Sequence, residues 1–149
     1  MRAVVQRVIN ANVEVEEKIV GEIKSGIALL LGIEDEDKDT DFDYIFKKVT
    51  NLRIFDDQDG VMNKSLLDIS GELLVVSQFT LYGDARKGNR PSYIRAAKFE
   101  QGKKYYEKFI EKSKELNIIV ASGEYGADMK LSIVNDGPVT ILLDSSKVI

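Results

Sequence analysis

Residues Gly26 to Ile33 read Gly-Ile-Ala-Leu-Leu-Leu-Gly-Ile, without one polar side chain. The run is far short of the ~20 apolar residues a membrane helix needs. It also lacks the apolar–polar alternation of a strand with one wet face. A short run of this kind is expected of a strand buried on both faces. The chain is long enough to bury it: 149 residues suit one domain with a real core. With 44% hydrophobic and 31% charged residues, the balance is that of an ordinary soluble protein.

The flanking sequence predicts more strands. Val4–Val8 is one and Ala11–Glu16 another, with Val13 and Val15 alternating against polar neighbours. A turn at Glu17-Lys18 leads into a strand over Ile19–Ile23. Asp39–Leu52 is predicted to be a helix, capped by Asp39 or Thr40, with Phe42, Ile45, Phe46, Val49 and Leu52 on one stripe. Arg53–Phe55 reads as a short strand, Asn63–Asp68 as irregular, and Glu72–Ser77 as a strand. Tyr82–Ser92 is the longest loop. A second helix spans about Ala96–Leu116, with Phe99, Gly102, Tyr106, Phe109 and Ile110 inward. Ile118–Ala121, Met129–Val134 and Val139–Leu143 complete the strands, and Asn135-Asp136-Gly137 supplies a turn between the last two. Strands with two interspersed helices give a single α+β domain over residues 1–149. Its sheet is expected to be mainly antiparallel and barrel-like, with two principal helices.

The chain contains no cysteine and no histidine. Disulfides, thiolate or imidazole metal sites, and Ser-His-Asp or Cys-His nucleophilic arrangements are therefore excluded. Acid–base chemistry is left to carboxylates, lysine, tyrosine, the backbone or the substrate. The Asp35–Asp41 acids lack the glycine and terminal glutamate of a calcium loop and suit a helix N-terminus better. No carboxylate pair shows a recognisable hydrolase spacing. The N-terminus has no signal-peptide layout, so cytoplasmic residence is expected. Formal charge is −4, yet Arg86, Lys87, Arg90, Arg95, Lys98, Lys103 and Lys104 form a basic stretch. It is either a solvated loop and helix face or a local patch for phosphates.

Two segments carry the functional signal. Asn135-Asp136-Gly137-Pro138-Val139-Thr140 holds one of only two prolines inside sheet-like sequence. Proline in a sheet belongs at an edge, bulge or turn. The pair is either a plain hairpin loop or a fixed kink that presents carbonyl oxygens to an ammonium group. Ser77-Gln78-Phe79-Thr80-Leu81 ends a buried strand. It is either a simple strand end or a set of consecutive amides that can hold an oxyanion. Ser77 and Thr80 are weak nucleophiles, and no histidine exists to activate them.

These segments, with Met1-Arg2-Ala3-Val4-Val5-Gln6-Arg7-Val8, Lys87-Gly88-Asn89-Arg90-Pro91-Ser92 and Gly126-Ala127-Asp128-Met129, resemble the D-aminoacyl-tRNA deacylases, also called D-tyrosyl-tRNA deacylases. The likeness runs over essentially the whole chain. The resemblance implies hydrolysis of the ester joining a D-amino acid, or glycine, to the 3′ end of tRNA, with no cofactor or metal. It implies a homodimer with active sites at the interface and no membrane association. Gly137 and Pro138, cis in the family, would reach into the partner's pocket and meet the substrate's α-amino group, with Arg7 holding the pair. Phe79 and Thr80 would offer backbone amides to the ester carbonyl, beside Ser77 and Gln78. Met129 and Tyr125 would lie near the terminal adenosine, Tyr125 standing where the family often has phenylalanine. The neighbouring 2′-hydroxyl of the ribose, rather than the Thr80 side chain, would assist water. The main chain at Gly137-Pro138 would exclude L-residues.

Overall fold

The computed structural model describes all residues, Met1–Ile149. Its longest elements are two strands, β1 (Arg2–Val15) and β8 (Lys130–Asp144), antiparallel to each other almost end to end. The other edge of β1 is shared. Its first half pairs with β3 (Gly26–Gly32) and its second half with β2 (Lys18–Ile23). β3 then pairs in parallel with β6 (Glu72–Ser77), and β6 in parallel with β7 (Val120–Ser122). β7 comes back toward β2, where a Cβ on Gly21 would stand 2.5 Å from the Ser122 carbonyl oxygen. The sheet thus curls into a nearly closed barrel, and glycine is required where its ends meet. A small hairpin of β4 (Phe55–Asp56) and β5 (Met62–Lys64) lies apart from it.

The apolar run behaves as its composition requires. Ile27, Leu29 and Leu31 face one core with Leu73 and Val75. Ala28 faces a second with Leu74, Val76, Val8 and Val13, and Leu30 packs against that core's edge. The first core is covered by α1 (Asp39–Asn51) and α2 (Phe99–Glu115). Phe42 packs on Tyr105 and Phe109 at ring distances of 6.0 and 5.8 Å, and Phe46 on Phe109 at 5.0 Å. Each such side chain, fully buried, contributes roughly 1.5–3 kcal/mol. Lys108 and Lys112 cross between the helices to Asp39 and Asp43 at 2.7 and 3.5 Å.

Several sequence expectations need correction. Val4–Val8 and Ala11–Glu16 are one continuous strand, and the turn that follows is at Glu16-Glu17, both with positive φ. The cap of α1 is Lys38, whose N–H donates to the Asp41 carboxylate at 2.9 Å, not Asp39 or Thr40. α2 begins three residues later than expected, and Phe99 is 54% exposed rather than inward. Met62–Lys64 is strand where irregular chain was expected from Asn63. The sheet is mainly antiparallel, as expected; two of its pairings, β3–β6 and β6–β7, are parallel, because α1 and α2 lie in the connections.

The largest correction concerns Asn135–Gly137. It is not a hairpin turn, because the chain on both sides of it runs antiparallel to the same strand. Gln6 pairs with Thr140 and Val8 with Asn135, so Asp136–Val139 bulges out opposite Arg7 alone. Gly137 has φ +116, and the Gly137–Pro138 peptide is cis. No helix is long and apolar enough to cross a membrane.

Candidate active site

The strand β6 ends at Ser77, and the chain passes through Gln78 into a 3-10 turn, Phe79–Tyr82. The Gln78 N–H still belongs to the sheet, donating to the Leu31 carbonyl at 2.8 Å. Inside the turn, the Leu81 N–H donates to the Gln78 carbonyl and the Gly83 N–H to the Thr80 carbonyl, at 3.2 and 2.9 Å. The first amides of such a turn have no partner behind them. Accordingly, the Phe79 and Thr80 N–H groups donate to no carbonyl or side chain. Two adjacent main-chain donors are left free at the end of a buried strand.

That strand end forms one wall of a cavity of about 490 Å³. Ser77, Gln78 and Phe79 line it from one side, and Tyr125 and Met129 from another. Leu31, Val76 and Leu131 supply apolar floor. Tyr125 is wedged between Phe99 and Tyr106, at ring distances of 5.1 and 5.4 Å. The Tyr106 hydroxyl reaches the carbonyl oxygens of Val75 and Gly123, each at 3.1 Å. Burial pushes its phenol up to about 12, so the hydroxyl stays a hydrogen-bond donor at neutral pH. Burial raises the Tyr125 phenol as well. Gly126, at φ +80, leaves room for Phe99, whose ring edge is 2.8 Å from where a Cβ would be. Phe99, Tyr106 and Leu131 were not anticipated as site residues. The only sequence signal for them was their apolar or aromatic character, which core packing explains equally well.

Thr80 lies within the turn but does not line the cavity. Its hydroxyl accepts a hydrogen bond from the Gln78 side-chain amide. An amide is no base, so this contact does nothing to activate the oxygen.

Arg7, Gly137 and Pro138 form a separate cluster, and none of them lines the cavity. Arg7 is buried on β1, opposite the bulge. Its guanidinium donates to the Ile54 carbonyl at 2.8 Å and to the Asp136 carbonyl at 3.2 Å. Carboxylates of Asp56 and Asp136 lie at 3.3 Å. A Cβ on Gly137 would stand 3.0 Å from Arg7 Nη2 and 2.8 Å from Val139 Cγ2. Asn135 completes the clamp, donating from one side-chain amide to the carbonyls of Arg7 and Val139, both at 3.0 Å. Asn135 appeared in the sequence only as turn chemistry. Its place as a brace across the bulge depends on the pairing with β1. Within one chain, then, the predicted residues fall into two groups: a cavity wall with open amides and an outlying, tightly braced bulge.

The model of the D-Tyr-tRNA(Tyr) deacylase family matches residues 4–144. A protein of Thermosipho africanus named D-aminoacyl-tRNA deacylase is 60% identical over 148 residues, 99% of each chain. A solved structure named c-Myc DNA Unwinding Element Binding Protein superposes with a TM-score of 0.91 at 41% identity, over 97% of this chain and 98% of that one. A second, described as a probable eukaryotic D-amino acid tRNA deacylase, shares the fold alone, with a TM-score of 0.82 at 17% identity over 96% of this chain and 98% of that one. With a match over nearly its whole length and relatives this similar, the chain belongs to the D-Tyr-tRNA(Tyr) deacylase family.

Proposed function

We propose that this protein is a D-aminoacyl-tRNA deacylase, hydrolysing the ester between a D-amino acid, or glycine, and the 3′-terminal ribose of tRNA in the cytoplasm. The observation that carries the reading is the pair of unpaired N–H groups on Phe79 and Thr80 beside a largely apolar cavity. Water adds to the ester carbonyl carbon, assisted by the ribose 2′-hydroxyl. The carbonyl oxygen becomes an oxyanion held by the two amides. The bond to the 3′-oxygen then breaks, the 3′-oxygen takes a proton, and free amino acid and tRNA leave. Such donors act most strongly where water is sparse, and one is typically worth ~10²–10³ in rate. Ser77 and Gln78 shape the wall, and Tyr125 and Met129 take the adenosine.

The active unit is a homodimer. β8 pairs with nothing but β1, so its outer edge is an open row of backbone groups. Val134 and Leu142 are exposed on it. In the dimer the Gly137–Pro138 bulge of one subunit enters the cavity of the other. Its carbonyl oxygens grip the substrate ammonium, and the main chain occupies the space an L side chain would need. This arrangement accounts for a bulge that is firmly braced yet lies outside the cavity of its own chain.

Deacylation of matched D- and L-tyrosyl-tRNA tests the reading. Release of D-tyrosine with L-tyrosyl-tRNA spared is expected, and equal survival of both overturns it. A noncatalytic nucleic-acid-binding role is the second reading, favoured by the name of the 41%-identical relative. Stable RNA complexes without turnover are its signature.

A further inference from the structure

The mouth of the cavity is electrically lopsided. On one side, Glu14, Glu16, Glu17, Glu124 and Asp128 line an adjoining hollow of about 580 Å³ that shares Phe99 and Tyr125–Asp128 with the cavity, so that Asp128 borders both. Lys130 is its single cation. A strand of phosphates leaving the cavity in that direction is repelled.

The other side is built from the chain between Phe79 and Phe99. That segment leaves the cavity wall at Phe79 and returns to it at Ala97 and Phe99. Backbone bonds between Asp84 and Ser92, at 2.8 and 2.9 Å, close its tip into a loop. Just beyond the closure, the Tyr93 ring packs edge-on against Phe79 at 5.2 Å, which anchors the loop's base to the cavity wall. Arg86 is neutralised by Asp84 at 2.6 Å, and Arg95 by Glu34 at 2.6 Å. Lys87 and Arg90 at the tip, and Lys98 between the two returning wall residues, are exposed, and no carboxylate within 4.0 Å pairs with them. On the same segment, Phe79 is 57% and Tyr93 39% exposed. Free cations alternating along the segment with partly exposed aromatic rings are what a single-stranded nucleic acid requires: charge for its phosphates and rings for unstacked bases.

We propose that the 79–98 segment is the landing for the single-stranded phosphodiester chain that carries the ester. Phosphates lie on Lys87, Arg90 and Lys98, and the bases next to the terminal nucleoside stack on Phe79 and Tyr93. The acidic hollow fixes the direction of approach by closing the alternative route. This inference rests on the deacylase reading for the identity of the strand. The surface itself rests on charge and exposure.

The test separates the two. Full-length K87Q/R90Q/K98Q and the unmodified protein are compared on D-tyrosyl-tRNA and on D-tyrosyl-adenosine, which has no phosphate. Binding of a fluorescent RNA hairpin with a four-nucleotide single-stranded 3′ end is measured in parallel over a salt series. The triple variant is expected to lose roughly 30-fold in kcat/KM on the tRNA and to stay within about twofold on the nucleoside ester. Its log–log salt slope for the hairpin should flatten by about 2, as three single-strand phosphate contacts demand. A blunt hairpin should bind more weakly than the overhanging one to the unmodified protein, with a shallower slope. Equal losses on both esters, an unchanged salt slope, or equal binding of the blunt hairpin overturns the landing. Should neither ester be cleaved while the variant still loses hairpin binding, the landing stands and the deacylase reading falls.

Discussion

The segment from Ser77 to Tyr82 and the bulge from Asp136 to Val139 are both partly exposed stretches of main chain, but they are held in different ways. The first is held from behind by the barrel: Gln78 is tied to Leu31, and β6 is buried between β3 and β7. Side chains only assist: Arg2 Nη1 donates to the Leu81 carbonyl at 3.0 Å, and the Gln78 side-chain amide donates to the Thr80 hydroxyl. The second sits on the strand with an open edge and is held by two side chains, Arg7 and Asn135. On the proposed assembly, the wall depends mainly on main-chain bonds and the gate on two side chains.

Arg7→Ala is the most damaging way to break that contrast. It strips charged donors from the Ile54 and Asp136 carbonyls and is expected to cost about 2–4 kcal/mol, measured by urea unfolding. Because the gate is displaced, D-tyrosyl-tRNA turnover should also fall about 100-fold. Smaller, and more specific, is Gly137→Ala. The new Cβ meets Val139 Cγ2 at 2.8 Å on a φ of +116. The D-over-L preference should fall about tenfold, equivalent to ~1.4 kcal/mol, and an unchanged ratio removes the bulge from the chiral filter. Asn135→Ala deletes two hydrogen bonds across the bulge, for an expected loss of about 1–2 kcal/mol with the cavity intact. Least of all is expected from Thr80→Ala in the turn. The amide remains, so activity should stay within about tenfold of the parent, whereas a loss of ~10⁴ or more with binding unchanged makes the hydroxyl a nucleophile.

The two regions also differ in how well they could be read from the sequence. Leu73–Val76 and Gly26–Ile33 are apolar without interruption, and local composition is enough to make them buried strands. Phe42, Ile45 and Val49 mark their helix by spacing alone. The bulge was legible as a special place and illegible in form. Asn, Asp and Gly in succession are the usual chemistry of a hairpin, and only pairing with a strand more than 120 residues away keeps the chain running straight through. The inward reading of Phe99 failed for a related reason. Its spacing fits the buried face of α2, but it lies in the first turn, beyond the edge of the core and over the cavity mouth. The free amides of Phe79 and Thr80 were suggested by position, since they follow a strand end. That they lack partners depends on the 3-10 turn, whose sequence carries no distinctive residue.

Those two amides have an implication for inheritance. Every codon except a proline codon specifies the same N–H, so no other missense change at position 79 or 80 erases the donor itself. Selection there can act only on shape, on what the ring of Phe79 touches and on how the turn is wound. On the proposed mechanism, a lineage of such enzymes can drift in side chains around the oxyanion donors while the donors stay out of reach of most point mutations.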